Sequence, residues 1–178
     1  MSIPTVEEKL AALKVTDAST YERACADNLT RGSYEIAVQR TADILDEGYE
    51  IFMRSSRSSM GVAGDSIVAM FNAAGDLVNA SAGTYLHAII PPIVIKYIIK
   101  HYSENPGIKD GDIFYTNDAL YGGIHNPDQV AITPVFFKEE LNGWTAALPH
   151  TTETVANAPG GMPVSAPSRF EDGMNLPP

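Results

Sequence analysis

A chain of 178 residues with 44% apolar residues can close one hydrophobic core, and 19% charged residues is too small a share for a disordered acidic chain. The formal charge of −10, with no cluster of Lys and Arg, argues against a nucleic-acid partner, which would require phosphates to be neutralised. The single cysteine, Cys25, leaves no internal disulfide, and MSIPTVEEKL lacks the basic flank and apolar run of an export signal, so a cytoplasmic location is expected.

Thr5 to Glu8 has the T-x-x-E capping pattern ahead of Leu10–Leu13, which predicts a short first helix. A second helix is expected from about Asp17 to about Leu29, with Cys25 as a buried thiol rather than a nucleophile, since no base lies near it. Ser33 can cap a third helix, whose apolar positions are Ile36, Ala37, Ile44, Leu45, Ile51 and Phe52, with Gly48 as its weak point. Ser55–Ser59 reads either as an ordered loop near a substrate or as a solvated linker. Ser66–Phe71 and Leu77–Ala80, punctuated by Asn72–Asp76, predict a hairpin. The run Ile89–Ile99 is broken by Lys96 and carries Pro91 and Pro92. It is too short to span a bilayer and predicts a buried helix from the prolines to about His101, with His87 just ahead as a cap or core histidine. His101, at the end of that helix, is given no role.

Asp110–Gly111 is a turn signal before a half-buried strand over Asp112–Thr116. Tyr121, Gly122 and Gly123 open a loop that carries His125. Gln129–Phe137 and Trp144–Leu148 predict two more strands around a turn at Lys138–Gly143. The glycine pairs Gly122–Gly123 and Gly160–Gly161 fit no phosphate-loop pattern and read as turns. Helices first and strands afterwards give an α+β fold. The expected division is a helical arm over 1–32, an α+β region over 33–150 that carries the site, and a Gly/Pro-rich tail over 151–178 that needs further chain or a partner to cover it.

The residues with the most chemical content are His125, Asp128 and His150. Two imidazoles and a carboxylate with open positions suit a catalytic divalent cation. With a loop over Lys138–Asn142, Phe137 faces Gly143 and His150 faces Val130. Asp128 then lies two residues further on, about 7 Å away, within reach of a bent loop. The alternative is a hydrogen-bonded histidine–aspartate pair without metal. Asn117 and Asp118 are candidates to orient His125 from behind.

Tyr115-Thr-Asn-Asp-Ala-Leu-Tyr-Gly-Gly-Ile-His-Asn-Pro-Asp128, followed by Val130–Phe136, resembles the signature of the N-methylhydantoinase B family. Ala37–Ala42, Ala69–Val78, Pro159–Pro163 and Phe170–Pro178 are similar to further family segments in the same order. The resemblance covers the chain from about Ser33 onward. Such proteins include the large subunits of acetone and acetophenone carboxylases and one subunit type of ATP-dependent hydantoinases and oxoprolinases.

The resemblance implies that His125, Asp128 and His150 are metal ligands, because the family's histidine, aspartate and second histidine recur at this spacing. It places a further acidic ligand near Met60–Asp65, where Asp65 is the acidic residue; a surface turn aspartate is the alternative there. It also implies a divalent metal (Mn, Zn or Mg), ATP used on a hydantoinase A-like partner subunit, and a small ketone as substrate. No nucleic acid and no membrane are expected as partners. Thr151 and Thr152 follow His150 where hydantoinase-type members carry paired histidines, which favours a carboxylase or a site that has lost its metal. An ATP-dependent cyclic amide hydrolase is the second expectation, and a non-catalytic scaffold fragment the third. Family members continue well past a segment like that at Pro178, so the chain is expected to be the N-terminal portion of a larger subunit, its remainder being a partner.

Overall fold

A computed structural model describes residues 2–178. Helix α1 (Val6–Ala12) begins at the expected capping box: Thr5 Oγ1 accepts from the Glu8 amide, and the Glu8 carboxylate accepts the Thr5 N–H at 2.8 Å. Helix α2 (Thr20–Asp27) has a second capping box, from Ser19 and Glu22, and is shorter than the spacing suggested. Cys25 on α2 is exposed rather than buried, because no α2 residue packs into the core. The long α3 (Ser33–Ser55) is capped by Gly32 at φ 83°, not by Ser33, and runs through Gly48 without a break. Of its expected apolar stripe only Leu45 is buried; Ile36, Ile44 and Ile51 are more than half exposed.

After a short α4 (Ser59–Val62) the chain enters strands β1 (Ser66–Asn72) and β2 (Leu77–Ala80), the expected hairpin. Two helices follow, α5 (Tyr85–Ile89) and α6 (Pro91–Tyr102), the latter with proline in its first turn. Strands β3 (Phe114–Thr116), β4 (Val130–Phe137) and β5 (Glu140–Pro149) complete an antiparallel sheet in the order β2-β1-β5-β4-β3. Helices followed by an antiparallel sheet make this an α+β fold. Alternate residues of the central strands, Ile67, Ala69 and Phe71, Val130 and Ile132, and Trp144, Ala146 and Leu148, form one core with Val94, Ile95 and Ile98 of α6. Gly48 of α3 sits against Val68, on the face of β1 that strand alternation turns away from α6.

The β4–β5 register differs from the expected one. Lys138 and Glu139 form a two-residue turn with φ 50° and 69°, and a bulge follows at Val135/Phe136, so Val135 rather than Phe137 faces Gly143. Positive φ at both turn positions is the geometry that twisted hairpins favour, though it usually draws Asn-Gly, and Lys-Glu carries no such signal. His150 is thereby paired with Asp128 instead of Val130. Pro134 is tolerated within β4 because β3 covers that strand only over Val130–Ile132.

The stretch from α1 to Thr16 is strapped to α6 and to Asp76 in the β1–β2 turn. Lys100 bonds Glu8 at 2.9 Å, Lys96 donates to the Lys14 carbonyl, and the Thr16 amide donates to Asp76. The tail past His150 is mostly irregular, with one turn of 3-10 helix at Arg169–Asp172. It folds back along β3: the Asn117 amide and the Thr116 hydroxyl both donate to the Leu176 carbonyl.

Candidate metal centre

His125, Asp128 and His150 come together at one end of the β4–β5 hairpin. Asp128 and His150 form an isolated bridge just beyond the two strands, and the Thr151 amide donates to the Pro127 carbonyl at 2.8 Å. This pairing fixes the backbones of two of the three residues by sheet geometry, not by loop chance. His125 is held by the local turn in which its carbonyl accepts the Asp128 amide at 3.0 Å. The loop approaches closely upstream: Gly122 has φ 120°, and a Cβ there would meet Ile93 at 2.8 Å.

One possible ligand atom from each of the three residues lies within 4.8 Å of the others. His125 Nε2 is 3.1 Å from Asp128 Oδ2, and the two imidazole rings stand 5.0 Å apart. The Asp128 side chain is 2% exposed and that of His125 38%, so the cluster opens to its surroundings through His125. Burial pushes the Asp128 carboxyl up, but the His125 and His87 imidazoles outweigh it and hold the group below its ordinary value. The same contact with Asp128 raises His125, against the opposing effect of burial.

The expected fourth residue, Asp65, does not join the three. Its carbonyl accepts the His150 amide at 2.9 Å and its Oδ1 accepts from Thr84 Oγ1 at 3.0 Å. Between Asp65 and Asp128 stands His87, which sequence reasoning gave no part. Its Nε2 is 3.4 Å from Asp128 Oδ1 and 3.6 Å from Asp65 Oδ1, and the ring is 3% exposed. Nothing in the spacing marks it, because it comes from α5, far earlier in the chain. Ser58 of the serine-rich stretch donates to the His150 carbonyl, so that stretch is an ordered support.

Among the described residues, neither Asn117 nor Asp118 hydrogen-bonds His125 itself. The fully buried Asn117 donates to the carbonyls of Asn126 and Met174 and accepts the Leu176 amide, which ties the His125 loop to the tail. Asp118 instead caps the turn at Ala119–Tyr121 and pairs with Arg169 at 2.7 Å.

The donor set can be tested for fit to a cation from its unpaired atoms. Four buried side-chain atoms lack a hydrogen-bond partner among the described residues: His87 Nδ1, Asn126 Nδ2, Asp128 Oδ1 and His150 Nδ1. An unmet buried polar atom costs about 1–3 kcal/mol, so native proteins keep few of them. Two of the four belong to the clustered residues, and the imidazole and carboxylate donors suit a borderline to hard divalent ion. The residues fit. Beside His125 lies an open cleft of about 350 Å³, lined by Ile124, Pro127, Met162, Pro163 and Arg169 among others.

A family model described as hydantoinase B/oxoprolinase matches residues 32–178. The acetophenone carboxylase delta subunit of Aromatoleum aromaticum is 58% identical over 178 residues, the whole of this chain and 26% of that subunit. The acetone carboxylase alpha subunit of Xanthobacter autotrophicus is 38% identical over 114 residues, 64% of this chain and 15% of that one. The nucleotide-free structure of acetone carboxylase superposes with a TM-score of 0.77 at 32% identity, covering 81% of this chain and 19% of that chain. The ATP-dependent caprolactamase of Pseudomonas jessenii gives 0.63 at 26% identity, over 84% and 26%. The chain thus spans about a quarter or less of the length of these relatives.

Proposed function

The chain belongs to the hydantoinase B/oxoprolinase family, and we propose that it forms the metal-site portion of a subunit of an ATP-dependent ketone carboxylase. The observation that carries this reading is the convergence of His125, Asp128 and His150, with His125 also lining a cleft, in a chain 58% identical to an acetophenone carboxylase subunit. His125, Asp128 and His150 would hold a divalent cation, whose chemistry is to polarise a carbonyl or stabilise an enolate oxygen.

Asp128 presents Oδ2 towards the imidazoles from a buried position, where its charge is weakly screened. His125, the partly exposed member, faces the side from which substrate arrives. The apolar residues Ile124, Pro127, Met162 and Pro163 suit the hydrocarbon part of a ketone, and Asn126, Arg169 and Asn175 in the same cleft offer polar contacts. ATP is used on a hydantoinase A-like partner subunit, and the activated enol or enol phosphate is carboxylated at this site. The exposed apolar residues of α3 and of the tail, among them Ile36, Ile44, Val164 and Phe170, are covered by the remainder of the subunit and its partners. The division into an arm over 1–32, a site region over 33–150 and a tail over 151–178 is part of the same proposal.

A second reading, a cyclic amide hydrolase, is favoured by the likeness to caprolactamase. Bicarbonate-dependent ATP hydrolysis by the assembled complex separates the two. The carboxylase reading expects it with acetophenone or acetone and not with lactams or hydantoins. ATP hydrolysis with cyclic amides and no bicarbonate dependence with any ketone would overturn it.

A further inference from the structure

We infer that His87 is a positioning residue: its Nε2–H holds Asp128 Oδ1, leaving Oδ2 turned towards His125. The inference rests on reading those three residues as a cation site.

Asp128 Oδ1 is buried and has no hydrogen-bond partner, and His87 Nε2 at 3.4 Å is the donor standing next to it. A neutral imidazole has one N–H, which serves one acceptor well. Two carboxylates compete for it, since Asp65 Oδ1 is 3.6 Å from the same nitrogen. Asp128 Oδ1 is the nearer of the two and has no other partner, whereas Asp65 Oδ1 accepts from Thr84 Oγ1 at 3.0 Å, so Asp128 is the acceptor assigned to the N–H. In that tautomer His87 Nδ1 carries the lone pair and needs no acceptor, though no donor among the described residues meets it.

The supports of His87 are independent of the hairpin. Its amide donates to the Thr84 carbonyl at 3.0 Å within the α5 turn, and the ring is buried there. Asp65, on its far side, accepts the His150 amide through its own carbonyl. Thr84, Asp65 and His87 therefore connect the backbone of one clustered residue to the carboxylate of another. A carboxylate fixed through its outer oxygen keeps the inner one in place, and loss of such a contact commonly weakens metal binding by about 10–100-fold.

The test is Mn(II) titration of the assembled, metal-depleted complex by electron paramagnetic resonance, with spin-echo modulation to count coordinated imidazole nitrogens. His87→Ala is expected to raise the Mn(II) Kd by about 10–100-fold without changing that count, and His87→Gln to recover part of the loss. Thr84→Val, which touches none of the three clustered residues, is expected to weaken Mn(II) several-fold by freeing Asp65 to draw the His87 proton away. An unchanged Kd in His87→Ala overturns the inference, as does the loss of one coordinated nitrogen, which would make His87 a ligand. If His87→Ala does not assemble, an unchanged Kd in Thr84→Val overturns it instead. His125→Ala is the reference: if it binds Mn(II) as the unaltered complex does, the cation site itself falls and the inference with it. A silent His87→Ala beside a disabled His125→Ala removes the inference alone.

Discussion

Asp128 shows why single residues decide this site. A carboxylate with 2% exposure loses most of its hydration, and what offsets that loss here is the pair of imidazoles on its two oxygens. Asp128→Asn keeps the shape and removes the charge, so turnover of the complex should fall by more than about 10-fold while its melting temperature moves little; equal turnover would contradict the assignment. Asn117 acts differently, through three hydrogen bonds made from a fully buried amide. Asn117→Ala should destabilise the protein by about 2–4 kcal/mol, seen as a lower urea midpoint at unchanged slope. His125, Asp128 and His150 were legible in the sequence because their spacing matched a family pattern and a hairpin could bring them together. His87 was not, since a lone histidine ahead of a proline-started helix reads as core, and its partners Asp65 and Asp128 come from other elements. Asn117 was legible as a support of the His125 loop, which it holds through the Asn126 carbonyl, but its bonds to the tail were not, because the return of Leu176 along β3 leaves no trace in local pattern.

At the level of elements, the strands were readable from alternation and turn residues, and the errors fell where turn chemistry departs from the usual. Lys138 and Glu139 take positive φ without Gly or Asn, so the true two-residue turn was hidden and the register displaced. Lys138→Asn with Glu139→Gly should relieve that strain and raise stability by about 1 kcal/mol, measured by thermal melting. A lower melting temperature would argue that the turn side chains contribute contacts of their own. The arm makes a pH prediction. Burial pushes Asp76 up, but Lys96 at 2.6 Å and the Thr16 amide outweigh it and hold the carboxyl below its ordinary value. Glu8 is held at about 2, chiefly by its bond to Lys100. Depressed carboxylates contribute stability that is complete above the unfolded values of about 3.9 and 4.3, and that is lost as pH falls through the lower folded values. Amides of α1 should therefore lose protection, relative to their intrinsic exchange rates, below about pH 4, ahead of the sheet. Uniform exchange of arm and sheet as pH falls would contradict this.

Across the whole molecule the sheet and α6 form a dry core, while α3 and the tail leave large apolar side chains in the open. Composition announced one core, but α3 residues such as Ile36, Ile44 and Ile51, which stay exposed, could not be told from Leu45, which is buried, because periodicity reports amphipathicity and not what covers it. No helix among the described residues is long and apolar enough to cross a membrane. The cluster sits at the rim of the core rather than inside it, so chelation should abolish turnover without unfolding the protein, as circular dichroism would report; unfolding on chelation would mark a structural ion instead. The account turns on whether His125, Asp128 and His150 hold a cation, and metal analysis of the assembled complex carrying His150→Ala addresses that most directly. The prediction is a divalent metal in stoichiometric amount with this subunit in the unaltered complex, and its loss together with turnover in the variant while assembly persists. Equal metal content and equal turnover in the two would contradict it.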